Sequence, residues 1–204
     1  VNIPILYEDD WLLVVDKPAG LLTIPTPKNE RRTLSSILND YAKEKGFSYR
    51  FHPCHRLDRQ TSGLIIYAKG KSIQKKVMDL FKDRKIKKKY TAFVHGRILK
   101  NRDLINMPIE GRDAITEYKL IEQRKDFAIL EVTPLTGRTN QIRIHLKGIG
   151  HPIVGDTKYA FRKDFRLKSK RLCLHAAELE FQHPVTAKFV HIYSELPKDL
   201  KEFL

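Results

Sequence analysis

The sequence predicts an α+β protein: a mixed, mainly antiparallel central β-sheet flanked by helices. Three observations lead to that class. Short apolar runs bounded by turn residues recur along the chain, and several lie close enough in sequence to pair as hairpins. Two stretches, 34–46 and 71–87, carry apolar residues at helical steps of three and four. Strands and helices do not alternate strictly, which argues against a doubly wound parallel sheet.

Taken in order, Trp11-Leu12-Leu13-Val14-Val15 is a continuous apolar run closed by Asp16-Lys17-Pro18-Ala19-Gly20, a buried strand ending in a turn. Residues 23–33 hold two prolines and several charges and form an exposed loop. Thr33 caps a helix whose face is Leu34, Ile37, Leu38, Tyr41 and Ala42, and Gly46 ends it. Leu64-Ile65-Ile66-Tyr67-Ala68 is a second buried strand. Residues 71–87 form an amphipathic helix with Ile73, Val77, Leu80 and Phe81 inward. Strands follow at 90–96, 114–121 and 127–133, the last two paired across 122–126. Gly137 makes a turn, Thr139 caps, and Ile142 with Leu146 gives a helical step. Residues 172–182 and 185–193 flank His183-Pro184 as a final hairpin, and Pro197 starts a short terminal helix. No repeat, low-complexity tract or linker divides the 204 residues, so they are read as one domain with no separate N-terminal domain.

Apolar residues make up 41% of the chain, enough for a proper core. Lys+Arg 39 against Asp+Glu 24 gives +15, an excess that attracts polyanions, nucleic acid first among them. Two cysteines, Cys54 and Cys173, exclude a disulfide framework and a four-cysteine zinc site, and are read as buried thiols. No run approaches the ~18 apolar residues of a membrane helix and no export signal is visible, so the protein is expected in the cytoplasm. No Gly-rich dinucleotide or P-loop fingerprint occurs, and no nucleotide cofactor is expected.

The chemistry concentrates at His55-Arg56-Leu57-Asp58-Arg59-Gln60-Thr61-Ser62-Gly63-Leu64. One carboxylate, Asp58, sits between two arginines and precedes a turn into a buried strand, a frequent place for a catalytic group. As a carboxylate between two guanidinium groups, Asp58 is read as an anion suited to nucleophilic attack or to stabilising a developing cation. Taken alone, an Asp between arginines is more often a surface or structural ion pair. Residues 82–89 hold six cations, Lys82, Arg84, Lys85, Lys87, Lys88 and Lys89, more than helix capping requires, and read as a phosphate-contacting edge. His175 and His183 read as structural hydrogen-bonders.

This decapeptide resembles the HRLDxxTSGL signature of the RluA-type pseudouridine synthases, with every fixed position present. Four further segments are similar to that family. Asp16-Lys17-Pro18-Ala19-Gly20-Leu21 matches its opening KPAGL, and Lys89-Tyr90 its second motif. Gly137 to Arg143 resembles GRTHQLR, and Arg171 to Ala176 with His183-Pro184 the closing RxxLHA…HP. Asn140 stands where the family has His, and Ala160 where GDxxYG has its last Gly.

The resemblance implies the pseudouridine synthase catalytic fold, and an enzyme isomerising specific uridines of ribosomal or transfer RNA without cofactor or metal. Asp58 is then the catalytic aspartate. Tyr90 stacks on the target uracil and helps remove its C5 proton, and Arg143 pairs with the aspartate. Arg56 fills the space that the flipped base leaves or holds the RNA backbone. Arg138, Lys87, Lys88 and Lys89 are the RNA contacts, Ile144 and Leu174 the apolar walls, and the enzyme is expected to work as a monomer. Three competing readings remain. A non-catalytic RNA-binding module of the same fold needs none of Asp58, Tyr90 and Arg143. A metal-dependent hydrolase using His52, His55 and Asp58 needs a helix that Pro53 opposes. A glycoside hydrolase needs a second carboxylate, and none stands out.

Overall fold

The hairpin that opens the fold turns on one carboxylate. β1 (Ile5–Glu8) pairs antiparallel with β2 (Leu12–Lys17), and Asp9 Oδ1 between them accepts the N–H groups of Trp11 at 2.8 Å and Leu12 at 2.7 Å. The computed structural model describes residues 3–160 and 167–204. Its contacts divide the chain into two units, Val1–Ile86 with Glu178–Ser194, and Lys87–Ala177 with Glu195–Leu204. The fold is α+β, and every strand pairing described within either unit is antiparallel.

The first unit continues with α1 (Leu34–Glu44), β3 (Phe51–Pro53), β4 (Ser62–Lys69) and α2 (Lys71–Lys82). α1 begins as expected: Thr33 accepts from the Ser36 N–H, and Ser36 reciprocates by accepting from the Thr33 N–H. Leu34, Leu38 and Ala42 are its buried face. β2 and β4 pair in register, Val14 opposite Ile66, and are buried on both sides, which is why each reads as an unbroken apolar run. Val77 of α2 packs into their core, with Ile73, Leu80 and Phe81 against it.

In the second unit, β5 (Lys87–His95), β8 (Phe127–Pro134), β7 (Ile115–Gln123) and β6 (Arg102–Asn106) pair as successive neighbours, and α3 (Gln141–Gly148) follows. The chain then enters β9 (Leu174–Gln182), which begins in the second unit and ends in the first. There it pairs with β10 (Phe189–Tyr193), so that Leu179, Phe181, Val190 and Ile192 join the first core. The short helix α4 (Lys198–Lys201) starts after Pro197 as anticipated.

Several boundaries depart from the sequence reading. The helix expected over 71–87 stops at Lys82, because Arg84 adopts a left-handed backbone (φ 58°) and β5 already starts at Lys87. The six cations are therefore split between a helix end, a turn and a strand. The first residue before α3 is Asn140, not Thr139, and it too is left-handed, a conformation that Asn tolerates better than most residues. β1, β3 and β6 were not anticipated; each is short and lacks a long apolar run. Cys54 and Cys173 are free and buried, and burial pushes their thiols up to about 12 and about 11. Among the described residues no helix is long and apolar enough to cross a membrane.

Gly155 fixes the turn after α3. Its φ is +77°, and a Cβ there would lie 1.9 Å from the Arg171 carbonyl oxygen, so backbone meets backbone with no room for a side chain. Gly46 has a similar φ of +70° but nothing within 4 Å. We expect Gly46→Ala to cost only the ~1–2 kcal/mol of a left-handed alanine, and Gly155→Ala clearly more. Urea midpoints of the two variants would decide it; equal shifts would mean that the Arg171 contact relaxes freely.

Candidate active site

Asp58 stands half-buried in the loop between β3 and β4, and its neighbours on both sides are tied down through the backbone. Buried Thr23 donates its hydroxyl to the Leu57 carbonyl at 3.1 Å and accepts the Leu57 N–H at 3.3 Å. The Arg59 carbonyl accepts from the Gly20 N–H at 2.8 Å and from the Lys17 ammonium at 3.3 Å. Lys17 is 0% exposed, and its Nζ also donates to the carbonyls of Pro18 at 2.9 Å and Leu21 at 2.8 Å. The Asp58 carbonyl itself accepts from Thr61 N–H at 3.1 Å. Carbonyls withdrawn from water need donors, and one ammonium at the end of β2 supplies three of them. Gly20, at φ +84°, lets the 17–21 turn curl around that ammonium.

The surroundings of Asp58 do not suit the metal-hydrolase reading. Residues 51–53 are a strand and 54–58 are not helical, so His52, His55 and Asp58 do not share a helical face. His55 Nε2 accepts the Ile66 N–H at 3.0 Å, which commits it to holding β4. Arg56 is exposed beside Asp58 in the same unit.

The second unit carries Tyr90, Arg143 and the remaining candidates. Strand alternation puts Lys88, Tyr90 and Ala92 on one face of β5, and Lys87, Lys89 and Thr91 on the other. The register continues Tyr90's face through Val132 of β8 to Tyr118 of β7. Thr116, two residues along β7, faces the same way and meets α3: it accepts from Gln141 Nε2 at 2.9 Å and lies 2.8 Å from His145 Nδ1. His145 Nε2 is 2.9 Å from the Met107 carbonyl, which can only accept; Nδ1 is therefore the acceptor and Thr116 its donor. Burial pushes His145 below its usual value, consistent with that neutral ring. Thus α3 packs against β7 and β8 on the sheet face to which Tyr90 and Lys88 of β5 also belong.

Arg143 leaves α3 in a fixed orientation. Its Nε and Nη2 donate to Asp156 Oδ2 and Oδ1 at 2.8 and 2.9 Å, and Nη1 donates to Asn140 Oδ1 at 2.8 Å. The Tyr159 ring lies 5.0 Å from the guanidinium carbon. Burial opposes ionisation of Asp156, but the bonds from Arg143 and from the Lys158 and Tyr159 N–H groups, with the Arg143 charge, bring its carboxyl below the ordinary carboxylate range.

The sequence model of the RNA pseudouridylate synthase family matches residues 11–147, a span that includes Asp58, Tyr90 and Arg143. The chain belongs to the RNA pseudouridylate synthase family. It is 34% identical to the dual-specificity RNA pseudouridine synthase RluA of Pasteurella multocida, a match covering 91% of this chain and 90% of that protein. It is 33% identical to the ribosomal large subunit pseudouridine synthase C of Buchnera aphidicola, over 100% of this chain and 70% of that protein. The solved structure of human RNA pseudouridylate synthase domain containing 1 matches with a TM-score of 0.78 at 28% identity, covering 96% of this chain and 84% of that one. The synthase is accordingly an isomerase that acts on RNA.

The expected RNA contacts of the synthase divide by face. Lys88 lies on the side of Tyr90, and burial pushes its ammonium below the usual lysine value. Lys87 and Lys89 line a shallow polar pocket on the opposite face with Arg102, Glu117, Lys119 and Glu131, and Lys89 pairs with Glu131 at 3.7 Å. Arg138 spends its Nε on the Asp113 carbonyl at 3.0 Å, tethering the turn before α3. Ile144 is half-buried beside Arg143, and Leu174 is buried at the start of β9.

Sequence reasoning gave no role to Thr23, Gln141 or Asp156, although the last two lie in segments similar to the family's GRTHQLR and GDxxYG patterns. Gln141 is 4% exposed; it accepts from Arg138 N–H and Thr136 Oγ1 at 3.0 and 2.7 Å, and donates to the Ile115 carbonyl at 2.9 Å. A polar residue in a helical stretch carries no such signal by itself; only the GRTxQ spacing hinted at it. Thr23→Val keeps the shape of the side chain and removes both bonds to Leu57. We expect it to lower stability by about 1–3 kcal/mol in urea titration. An unchanged midpoint would show that the Leu57 clamp adds nothing to stability.

Proposed function

We propose that the synthase converts specific uridines of ribosomal or transfer RNA to pseudouridine, with Asp58 as its catalytic group. The observation that carries this reading is the restraint on Asp58: the signature aspartate sits between two residues whose backbones are tied to the 17–23 turn. A carboxylate that must meet one ribose carbon gains rate from being held in place before the substrate arrives. The Buchnera relative is by name a ribosomal large subunit synthase and the Pasteurella relative is by name dual in specificity. Those names support a ribosomal substrate, alone or with a second RNA class, and the net charge of +15 suits any polyanion of this kind.

The reaction conserves every atom of the nucleotide. The N1–C1′ bond breaks, the uracil turns, a C5–C1′ bond forms, C5 loses its proton and N1 gains one. The target base is flipped out of its stack at a cost of a few kcal/mol, offset by phosphate contacts and by ~1–3 kcal/mol of stacking on Tyr90. Asp58 then adds to C1′ or removes the C2′ proton; both routes require it ionised. Arg56 holds the distorted strand, and Tyr90 assists loss of the C5 proton. Arg143 supplies the positive charge that the family pattern assigns to the catalytic aspartate, and Ile144 and Leu174 contribute apolar wall. Lys88, on Tyr90's face, is the phosphate contact that belongs with the reacting nucleotide.

Asp58→Asn keeps size and removes charge, so it should abolish tritium release from C5-tritiated uridine in ribosomal and transfer RNA transcripts while RNA binding persists. Turnover within about tenfold of wild type would exclude Asp58 as the catalytic group. No release by the wild-type protein, despite tight binding, would favour a binding module instead. Lys88→Ala should weaken RNA binding and reduce the salt slope by about one, whereas Lys87→Ala with Lys89→Ala should leave turnover of bound RNA unchanged. The opposite ranking would place the RNA contacts on the other face of β5.

A further inference from the structure

The guanidinium of Arg143 is gripped along one edge and at one corner, and set beside an aromatic ring, by residues to which the functional reading above gives no part. Asp156 takes the side-on edge through Nε and Nη2, Asn140 takes Nη1, and the guanidinium carbon lies 5.0 Å from the centre of the Tyr159 ring. The Asp156 side chain is 0% exposed and that of Arg143 13%, so each charge is withdrawn from water largely against the other. Asp156 Oδ1 also accepts from the N–H groups of Lys158 and Tyr159, at 2.9 and 3.0 Å. Gly155, pressed against the Arg171 backbone, fixes the same turn from behind.

We propose that Asp156, assisted by Asn140 and Tyr159, is a positioning element of the reaction that sets the orientation of the Arg143 fork. The inference rests on the reading that Arg143 serves the catalytic carboxylate. An arginine side chain has many rotamers, and side-on binding by a fixed carboxylate selects one of them. Side-on engagement turns the other edge of the fork, Nη1 with Nη2, away from Asp156. Asn140 takes one N–H of Nη1, and two more, one on each terminal nitrogen, serve whatever else Arg143 holds. Asp156 cannot itself be the base, since its oxygens are already occupied by two guanidinium N–H groups and two backbone N–H groups. The departure at Asn140 also acquires a meaning. Its left-handed backbone (φ 55°) turns the side-chain amide toward Arg143, so an uncharged acceptor stands where the family places an imidazole.

The test is a set of variants assayed by tritium release, with turnover and KM for RNA measured separately. Asp156→Asn should lower kcat at least about tenfold with KM changed less than about threefold. If it acts through Arg143, the same substitution in an Arg143→Lys background should cost far less than in the wild type. Asn140→Ala, a milder change that spares the buried ion pair, should lower kcat about threefold at constant KM and stands in should Asp156→Asn fail to fold. Wild-type turnover by Asp156→Asn, or equal losses in the two backgrounds, would overturn the proposal while leaving the role of Arg143 intact. Near-wild-type turnover by Arg143→Lys and by Arg143→Ala would overturn the reading of Arg143 itself, and the inference with it.

Discussion

One buried ammonium holds the loop on which the candidate site of the first unit depends. Lys17 has no access to water, and its charge is met by the carbonyls of Pro18, Leu21 and Arg59. A buried cation left without acceptors is among the most costly features a fold can contain, so the carbonyls and the ammonium constrain each other. The consequence reaches Asp58. Its following residue is held by Lys17 and Gly20, its preceding residue by Thr23, and its own carbonyl by Thr61. The loop therefore has little freedom to move its carboxylate, although no side chain in that clamp reacts with anything.

The second unit reaches the same end with the charges exchanged. There the buried group is an anion, Asp156, and the donors around it are the Arg143 guanidinium and two backbone N–H groups. α3 is anchored to its sheet by a neutral counterpart, the chain Gln141–Thr116–His145–Met107, in which each donor meets an acceptor. Apolar packing alone would hold α3 on the sheet but would tolerate a slide of a fraction of a turn. The polar chain does not, since a slide would leave the buried amide, hydroxyl or imidazole unsatisfied. That is a physical reason for placing hydrogen-bonded side chains where aliphatic ones would pack as well.

Local chemistry made much of this fold legible. Thr33 and Gly46 bracket α1 by capping and left-handed backbone, the apolar steps of α2 point to the face that packs, and the unbroken runs of β2 and β4 mark strands covered on both sides. The failures have equally local causes. Lysines are good helix formers, so the sequence pattern of α2 continues to 87, whereas the helix ends at Lys82 and Arg84 turns the backbone. β6 and β1 have mixed burial and no long apolar stretch, so their strand character comes from their partners. At the site, the family motif named Asp58, Tyr90 and Arg143, and the chain's membership of that family agrees with the motif. What it did not give was which residues hold them: Thr23 lies 35 positions from Asp58, and Asp156, although it is the Asp of GDxxYG, lies 13 positions from Arg143 with no periodicity to link them.

Strand geometry also changes what the basic character of the chain means. Counted along the sequence, residues 87–89 are three adjacent cations and look like one binding edge. On a strand they cannot act together, because alternate side chains leave opposite faces. Lys87 and Lys89 join a face where Glu117 and Glu131 already compensate part of the charge, and Lys89 is paired there. Lys88 instead enters the face on which α3 packs, where burial brings its ammonium below the usual lysine value. A polyanion is drawn to the net charge from a distance, but at contact range the distinction falls to single residues, and on this strand the one that shares a face with Tyr90 is Lys88.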